Sequence, residues 1–195
     1  MLKGNIKLVA ISGAARSGKD TLAQALCGQF GYKQYSFAEP IYKMLNTLPY
    51  LEHLASGLPT VEKEKEHSFY AKSPRRMLQT LGTEWGRNCV SEDLWIWILE
   101  EKFERKYDIT KHSSYVISDL RFPNEANWVR KLGGLVVQVV RDSAKIQVAQ
   151  HVSENGAGIA GEDLIVPNDG TIEALCQQVP QIDTLAEKRR EQCRS

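Results

Sequence analysis

The chain has 195 residues, of which 42% are hydrophobic and 25% charged, and its formal net charge at pH 7 is +1. This length and balance fit one soluble domain with a real core, and the small net charge gives no overall attraction to nucleic acid or to an anionic membrane. The four cysteines are widely spaced, without a C-x2-C pair, which argues against zinc and a disulfide framework and favours a reducing cytoplasm. No stretch resembles a signal peptide or a membrane span.

A glycine-bounded loop follows the apolar run Ile6–Ile11 and precedes a helical pattern, Leu22–Phe30. A strand, such a loop and a helix form the context of a phosphate-binding loop. Gly13 and Gly18 let successive N–H groups point inward, and the helix adds its positive end. Lys19 is then placed to reach the β- and γ-phosphates of a nucleoside triphosphate. The predicted nucleotide-binding residues are Gly13, Ala14, Ala15, Arg16, Ser17, Gly18, Lys19, Asp20 and Thr21.

Asp20 departs from the usual loop pattern, in which a hydroxyl residue after the lysine binds Mg²⁺. A carboxylate beside a triphosphate is repelled unless a cation lies close, which favours Asp20 as a direct or water-mediated Mg²⁺ ligand. The alternative is that Asp20 caps the helix and Thr21 serves the metal. The sequence leaves both interpretations open.

A second strand is predicted at Lys33–Ala38, followed by an amphipathic stretch and by an unpatterned segment, Pro49–Lys72. A helix then starts at Ser73-Pro74, a capping residue followed by a first-turn proline. At α-helical spacing its apolar side chains, which include Trp85, face one side, and its polar side chains form one stripe. The stripe consists of Arg76, Gln79, Thr80, Thr83 and Arg87.

The first turn of this helix carries Arg75 and Arg76, although the helix dipole disfavours cations there. An anion nearby would resolve that conflict. Another helix starts at Ser91, and its body is apolar nearly all round, so Trp95 and Trp97 are expected chiefly in the core. The alternative for one of these tryptophans is the wall of a pocket.

Three further strands are predicted at Tyr115–Ser118, Leu135–Val140 and Leu164–Val166. A helix opened by Pro123 separates the first two strands, and a helix capped by Thr171 and a charged tail follow the last. The alternation predicts an α/β fold with a parallel sheet and helices on both faces. Ligands bind beyond the carboxyl ends of such strands, so polar residues that follow strand ends should converge on one cleft. These residues are Asp20, Glu39, Asp119 and Arg141.

Phosphoryl transfer needs positioning and charge neutralisation more than covalent chemistry. Asp119 is a candidate for holding Mg²⁺ or its water, with a turn or helix cap as the alternative. Arg121 can reach an acceptor phosphate or pair with a carboxylate such as Glu125. Arg141 opens a late polar segment, where a lid would bring cations to the transferring group, or it forms a surface salt bridge. The candidate catalytic residues are therefore Lys19, Arg121 and Arg141.

Four motifs resemble those of bacteriophage deoxynucleoside monophosphate kinases, in the same order along the chain. They are Ser12–Thr21, Pro74–Gly82, Ser118–Glu125 and His151–Glu154. The resemblance implies the 2-3-1-4-5 strand order of nucleoside monophosphate kinases, and it implies ATP, Mg²⁺ and a deoxynucleoside monophosphate acceptor. It also implies one P-loop kinase domain over residues 1–195, with an acceptor-binding helical insertion at about 39–106 and a lid-like segment at about 142–162.

The same resemblance gives the polar stripe a role. Arg76 becomes a candidate clamp for the phosphate of the acceptor, and its neighbours on the stripe become candidates for contacts with base or sugar. For His151 and Glu154 the alternative to acceptor binding is a hydrogen-bonded lid anchor. The full set of candidate acceptor-binding residues is Glu39, Arg75, Arg76, Gln79, Thr80, Thr83, Arg87, Asp119, His151 and Glu154.

Two other functions are weighed against this one. The first is a P-loop kinase for another small acceptor, such as dephospho-coenzyme A or a sugar acid, and the second is a nucleotide-binding switch without an acceptor. The arginine-bearing stripe favours a second phosphorylated ligand, and no clear guanine-reading N/T-K-x-D sequence is present. The expected partner is a small molecule, neither nucleic acid nor membrane, and a homodimer is left open.

Overall fold

The computed structural model describes residues 6–52, 60–106, 114–141 and 163–194. The strands are β1 (Lys7–Ser12), β2 (Lys33–Tyr35), β3 (Ser114–Leu120), β4 (Leu135–Val140) and β5 (Leu164–Pro167). The helices are α1 (Lys19–Phe30), α2 (Glu39–Leu45), α3 (Thr60–Glu64), α4 (Pro74–Gln79), α5 (Leu94–Lys106), α6 (Pro123–Lys131), α7 (Ile172–Cys176) and α8 (Val179–Gln192). A π-helix, Thr80–Val90, continues α4.

The chain divides into two compact units, which are described separately. The first unit, here called the sheet unit, consists of residues 1–36 and 100–195. The second unit, here called the helical unit, consists of residues 37–99. The organisation expected from the resemblance, a single domain with an insertion at about 39–106 and a lid at about 142–162, stays a prediction.

The sheet has the order β2-β3-β1-β4-β5, and each neighbouring pair of strands is parallel. This confirms the predicted α/β fold and its 2-3-1-4-5 strand order. β1 lies in the middle, which explains its unbroken apolar run, because a central strand of a parallel sheet is buried on both faces. β2 is shorter than predicted and ends at Tyr35, at the edge of the sheet.

Helices cover both faces of the sheet. Val9 and Ile11 of β1 pack on one face in a cluster with buried side chains of α1, α7 and α8. Leu8 points to the other face, because side chains alternate along a strand, and it is in register with Tyr115 of β3. On that face the Phe103 ring of α5 stacks on Tyr115, with centroids 5.0 Å apart. Each such apolar side chain stabilises the fold by about 1.5–3 kcal/mol when fully buried.

The charged C-terminal tail forms α8 and buries Val179 and Ile182. Asp183 of this helix accepts hydrogen bonds from the Tyr32 hydroxyl at 3.0 Å and from the Lys7 ammonium at 2.6 Å. Burial, and then the neighbouring Asp183 carboxylate, raise the pKa of Tyr32 above its usual value. These polar contacts tie α8 to the start of β1.

In the helical unit, α4 begins where the sequence predicts, with the Ser73 hydroxyl accepting a hydrogen bond from the backbone N–H of Arg76. From Thr80 onward, however, the helix is a π-helix of 11 residues. Its hydrogen bonds run from residue i to i+5, so each turn holds more residues than an α-helical turn. The stripe predicted from α-helical spacing is therefore not continued, and Thr83 and Arg87 lie off the line set by Arg76 and Thr80.

Trp95 fills the space beside two glycines of the π-helix. A Cβ atom on Gly86 would lie 2.3 Å from the Trp95 ring, and the Trp95 indole N–H donates to the Gly82 carbonyl at 2.8 Å. Trp95 is 3% exposed, as predicted for a core residue, but Trp97 is 54% exposed, so the prediction of core burial was wrong for Trp97. Residues two apart on an α-helix point in nearly opposite directions, so one core cannot bury both.

Trp95→Phe should lower the free energy of unfolding by about 1–3 kcal/mol, because it removes the indole donor and leaves the Gly82 carbonyl without that partner. The matched control is Trp97→Phe on the same helix, which should change stability by no more than about 0.5 kcal/mol because the site is exposed. Urea denaturation of both variants measures the difference. Equal losses would show that the indole hydrogen bond does not stabilise the π-helix.

Candidate functional site

The loop between β1 and α1 has the left-handed backbone that its glycines predict. The φ angles are 148° at Gly13, 103° at Gly18 and 62° at Arg16, where a side chain is tolerated in the left-handed region. A Cβ atom on Gly13 would lie 2.5 Å from the carbonyl oxygen of Val139, so only glycine fits where the loop leaves β1 against β4. The turn predicted from sequence is therefore fixed by close packing against a neighbouring strand.

The loop contains the groups that a polyphosphate needs. Gly18 is the N-cap of α1, and the first N–H groups of a helix carry its positive end. The ammonium group of Lys19 lies 2.6 Å from the carbonyl oxygen of Ala14, across the loop. Ser17 is fully buried, and its hydroxyl has no hydrogen-bond partner among the described residues. A buried orphan hydroxyl, a mobile cation and helix N–H donors in one loop fit the phosphates of a nucleotide.

A cavity of about 260 Å³ opens beside this loop in the sheet unit. It brings Asp20 at the start of α1 together with Arg141 after β4, as the strand-end argument predicts. Among the described residues, the cationic side chains of Arg16, Lys19 and Arg141 line it together with the Asp20 carboxylate. The excess of positive charge favours an anionic ligand. The other lining residues include Thr21, Asn168, Gly170, Ile172 and Leu175.

Asn168 also lines this cavity, although it is not among the candidate residues predicted from the sequence. Its side-chain amide donates to the carbonyl of Ser17 at 2.7 Å, and its own backbone N–H donates to the carbonyl of Val140 at 2.8 Å. The available signal was the position of an asparagine directly after a strand, at the sheet edge where ligands bind. The position of Asn168 in the sequence does not predict which carbonyl group its side-chain amide binds.

Asp119 lies within β3 near its carboxyl end, and its carboxylate accepts a hydrogen bond from the Ser36 hydroxyl at 2.7 Å. In the part of the chain that the structure describes, Asp119 does not line the cavity that holds Asp20 and Arg141. The described residues also contain no cluster of three or more His, Cys, Asp or Glu side chains that could hold a metal. Mg²⁺ in kinases is commonly bound by one or two carboxylates and by the phosphates, and the roles of Asp20, Thr21 and Asp119 in binding it stay predictions.

Glu125 is buried and accepts hydrogen bonds from the backbone N–H groups of Arg121 at 2.9 Å and Phe122 at 3.0 Å. These bonds come from the backbone, and the pairing of the Arg121 side chain with a carboxylate such as Glu125 stays a prediction. The carboxylate thus fixes the start of α6, and the Arg121 side chain is exposed. The catalytic role of Arg121 stays a prediction.

The candidate acceptor-binding residues of the helical unit carry ion pairs. Arg76 pairs with Glu84 at 2.7 Å, Arg75 pairs with Glu64, and Glu39 pairs with Lys43 at 2.8 Å. The Arg76 and Glu84 side chains are 50% and 43% exposed. Their roles in acceptor binding stay predictions, as do those of Gln79, Thr80, Thr83 and Arg87. His151, Glu154 and the lid-like segment at about 142–162 lie outside the described residues.

None of the helices in the described ranges is long and apolar enough to cross a bilayer. The absence of a membrane partner and the cytoplasmic location stay predictions from the sequence. The sequence leaves open whether the protein forms a homodimer.

Comparison with known proteins identifies the family. The family model for deoxynucleotide monophosphate kinase matches residues 7–65 and 54–179. The deoxynucleoside-5′-monophosphate kinase of Escherichia phage T5 is 32% identical over 134 residues, which cover 64% of this chain. A protein of Acanthamoeba polyphaga mimivirus, provisionally named as a deoxynucleotide monophosphate kinase, is 28% identical over 180 residues.

The two relatives differ in length. The alignment covers 88% of this chain and 93% of the mimivirus protein, but only 48% of the phage T5 enzyme, so this chain spans about half the length of that relative. Among solved structures, a dephospho-CoA kinase from Campylobacter jejuni aligns over 94% of this chain and 99% of the kinase chain. The identity is 14% and the TM-score 0.47, and similarity at this level says nothing about the substrate. Because the family model matches most of the sequence, this chain belongs to the deoxynucleotide monophosphate kinase family.

Proposed function

We propose that this protein transfers the γ-phosphoryl group of ATP to a deoxynucleoside monophosphate, giving ADP and the deoxynucleoside diphosphate. The observation that carries the proposal is a phosphate-binding loop beside a cationic cavity in a chain of this kinase family. The phage T5 relative is named for a reaction of this class. A kinase for dephospho-coenzyme A or a sugar acid, or a switch without an acceptor, is not favoured by the family match.

The donor would be held in the sheet unit. Lys19 and the N–H groups at the start of α1 would bind its phosphates, and Arg16 and Arg141 would neutralise the charge that develops on the transferring group. Ser17 has a buried hydroxyl to donate to a phosphate oxygen. Asp20 or Thr21, with Asp119, would hold Mg²⁺, which when bound neutralises phosphate charge.

The acceptor would be held in the helical unit, with Arg76 on its 5′-phosphate. The guanidinium already pairs with the Glu84 carboxylate at 2.7 Å, and guanidinium groups bind carboxylates and phosphates alike. An exposed ion pair of this kind contributes about 0–1 kcal/mol, so exchanging a carboxylate for a dianionic phosphate costs little. The proposed contact therefore substitutes one anion for another.

Lys19→Ala should leave the fold intact and reduce kcat by at least about a hundredfold, because it removes charge stabilisation of the transferring phosphoryl group. The assay couples ADP release from ATP and Mg²⁺ to a panel of deoxynucleoside monophosphates. Lys131→Ala, an exposed lysine in the last turn of α6, is the control and should retain wild-type turnover. Wild-type protein that phosphorylates no monophosphate, or a Lys19 variant with full turnover, would contradict the proposed function.

Asp20→Asn should raise the Mg²⁺ concentration needed for half-maximal activity by about tenfold, because a carboxylate ligand becomes a neutral amide. Thr21→Ala, one position along the same helix, should shift that concentration less. Activity is measured across a Mg²⁺ titration at fixed ATP. A shift confined to the Thr21 variant would assign the metal to the hydroxyl and leave Asp20 as a helix cap.

Arg76→Ala should lower kcat/KM for the acceptor by about 30- to 1000-fold and leave the KM for ATP nearly unchanged, because a charge-assisted phosphate contact is lost. Glu84→Ala is the matched control, since it breaks the same ion pair but leaves the arginine in place. That variant should bind the acceptor at least as well as the wild type. If both variants behave alike and lose only about 1 kcal/mol of stability or less, Arg76 is a surface ion-pair residue.

A further inference from the structure

We propose that Asn168 is a positioning residue that sets the orientation of one peptide group in the phosphate-binding loop. The inference deepens the proposed function, on which it rests, by adding a residue that acts on the donor site through the loop. The side-chain amide of Asn168 donates to the carbonyl oxygen of Ser17 at 2.7 Å, between two buried residues that are 151 positions apart in the chain.

The amide of Asn168 is itself firmly held. Its backbone N–H donates to the carbonyl of Val140 at 2.8 Å, where β4 ends, and the residue directly follows β5. Asn168 is 7% exposed. A short side chain on a backbone anchored at two strands has few positions available, so its amide is a fixed donor.

The Ser17 carbonyl needs such a donor. The backbone ladder of α1 starts one residue later, where the Gly18 carbonyl accepts from the N–H of Leu22 at 3.0 Å. A buried carbonyl without a partner is costly, and Ser17 is fully buried. The Asn168 amide replaces the missing backbone partner at the start of the helix.

Holding the Ser17 carbonyl also orients the N–H of Gly18. In a planar trans peptide the C=O and the N–H of the same group point in opposite directions. Glycine allows a peptide plane beside it to rotate more easily than any other residue does, and Gly18 already has a φ of 103°. With its carbonyl bound to Asn168, this peptide group keeps its N–H directed away from β5, on the side opposite the amide.

The contact is close because Gly18 has no side chain. A Cβ atom on Gly18 would lie 2.4 Å from the Asn168 amide nitrogen and 3.0 Å from the Leu175 side chain. The glycine at this position therefore serves both the backbone conformation of the loop and the approach of Asn168. Asn168 acts on the nucleotide through this loop, so it is a positioning residue.

The test compares two side-chain amides, those of Asn168 and Gln178. Gln178, the N-cap residue of α8, donates from its side chain to the carbonyl of Pro167 at 3.2 Å, and this bond is solvent-exposed. In the part of the chain that the structure describes, Gln178 does not line the cavity. Asn168→Ala and Gln178→Ala each remove one amide-to-carbonyl hydrogen bond. Asn168→Asp is added because it fills the same space but, when ionised, offers no donor to the Ser17 carbonyl.

The affinity for ATP without an acceptor is measured by calorimetry at a temperature where every variant is folded. Both Asn168 variants should raise the Kd of ATP by about 5- to 30-fold, and Gln178→Ala should change it by less than about twofold. The Kd of inorganic tripolyphosphate should rise by the same factor as that of ATP, because the effect acts on the loop. A rise for ATP alone would mean that Asn168 contacts the base and would overturn the positioning role.

The KM values give a second readout. The KM for ATP should rise in the Asn168 variants, and the KM for the deoxynucleoside monophosphate should stay at its wild-type value. Wild-type affinity for both phosphate probes in Asn168→Ala and Asn168→Asp, with only a lower melting temperature, would overturn the inference. Failure of the proposed function looks different, since the wild-type chain would then bind ATP and still phosphorylate no monophosphate.

Discussion

The candidate phosphate site depends on keeping like charges together around one cavity. The cationic side chains of Arg16, Lys19 and Arg141 and the positive end of α1 surround one cavity, with Asp20 as the carboxylate among its lining residues. Groups of the same sign repel, so the backbone must be held from outside until an anion binds. Two backbone contacts do this, because Gly13 packs against the Val139 carbonyl and the Ser17 carbonyl accepts from Asn168. Sheet order makes both contacts possible, since β4 and β5 lie on the same side of β1.

The sequence predicted the features that local rules control. The strand, loop and helix around Gly13 and Gly18, the start of α4 at Ser73 and the cap at Thr171 depend on neighbouring residues, and each is observed. The parallel sheet follows from the alternation of apolar strands and amphipathic helices. Its strand order came from the resemblance to a known family, since composition and spacing do not rank the alternatives.

The features that sequence reasoning missed depend on contacts between distant residues. The hydrogen bond from Asn168 to Ser17 spans 151 positions, and no local pattern of residues indicates it. Trp97 was assigned to the core by composition, although the direction of α5 buries Trp95 and exposes Trp97. The hydrogen bonds from Tyr32 and Lys7 to Asp183 of α8 likewise join residues that are far apart in the chain. In each case the observed contacts depend on how another element packs, and the local sequence pattern does not contain that information.

The π-helix affects how this protein can be compared with its relatives. Up to Gln79 the helix is α-helical, and beyond it the hydrogen bonding shifts by one residue over 11 residues. Where a relative keeps an α-helix in this region, residues that align column by column after Thr80 point their side chains in different directions in the two proteins. Acceptor contacts transferred by alignment would then fall on the wrong side chains, and the error would grow with each turn. Side-chain directions in this region can therefore differ between members of the family while the aligned residues remain the same.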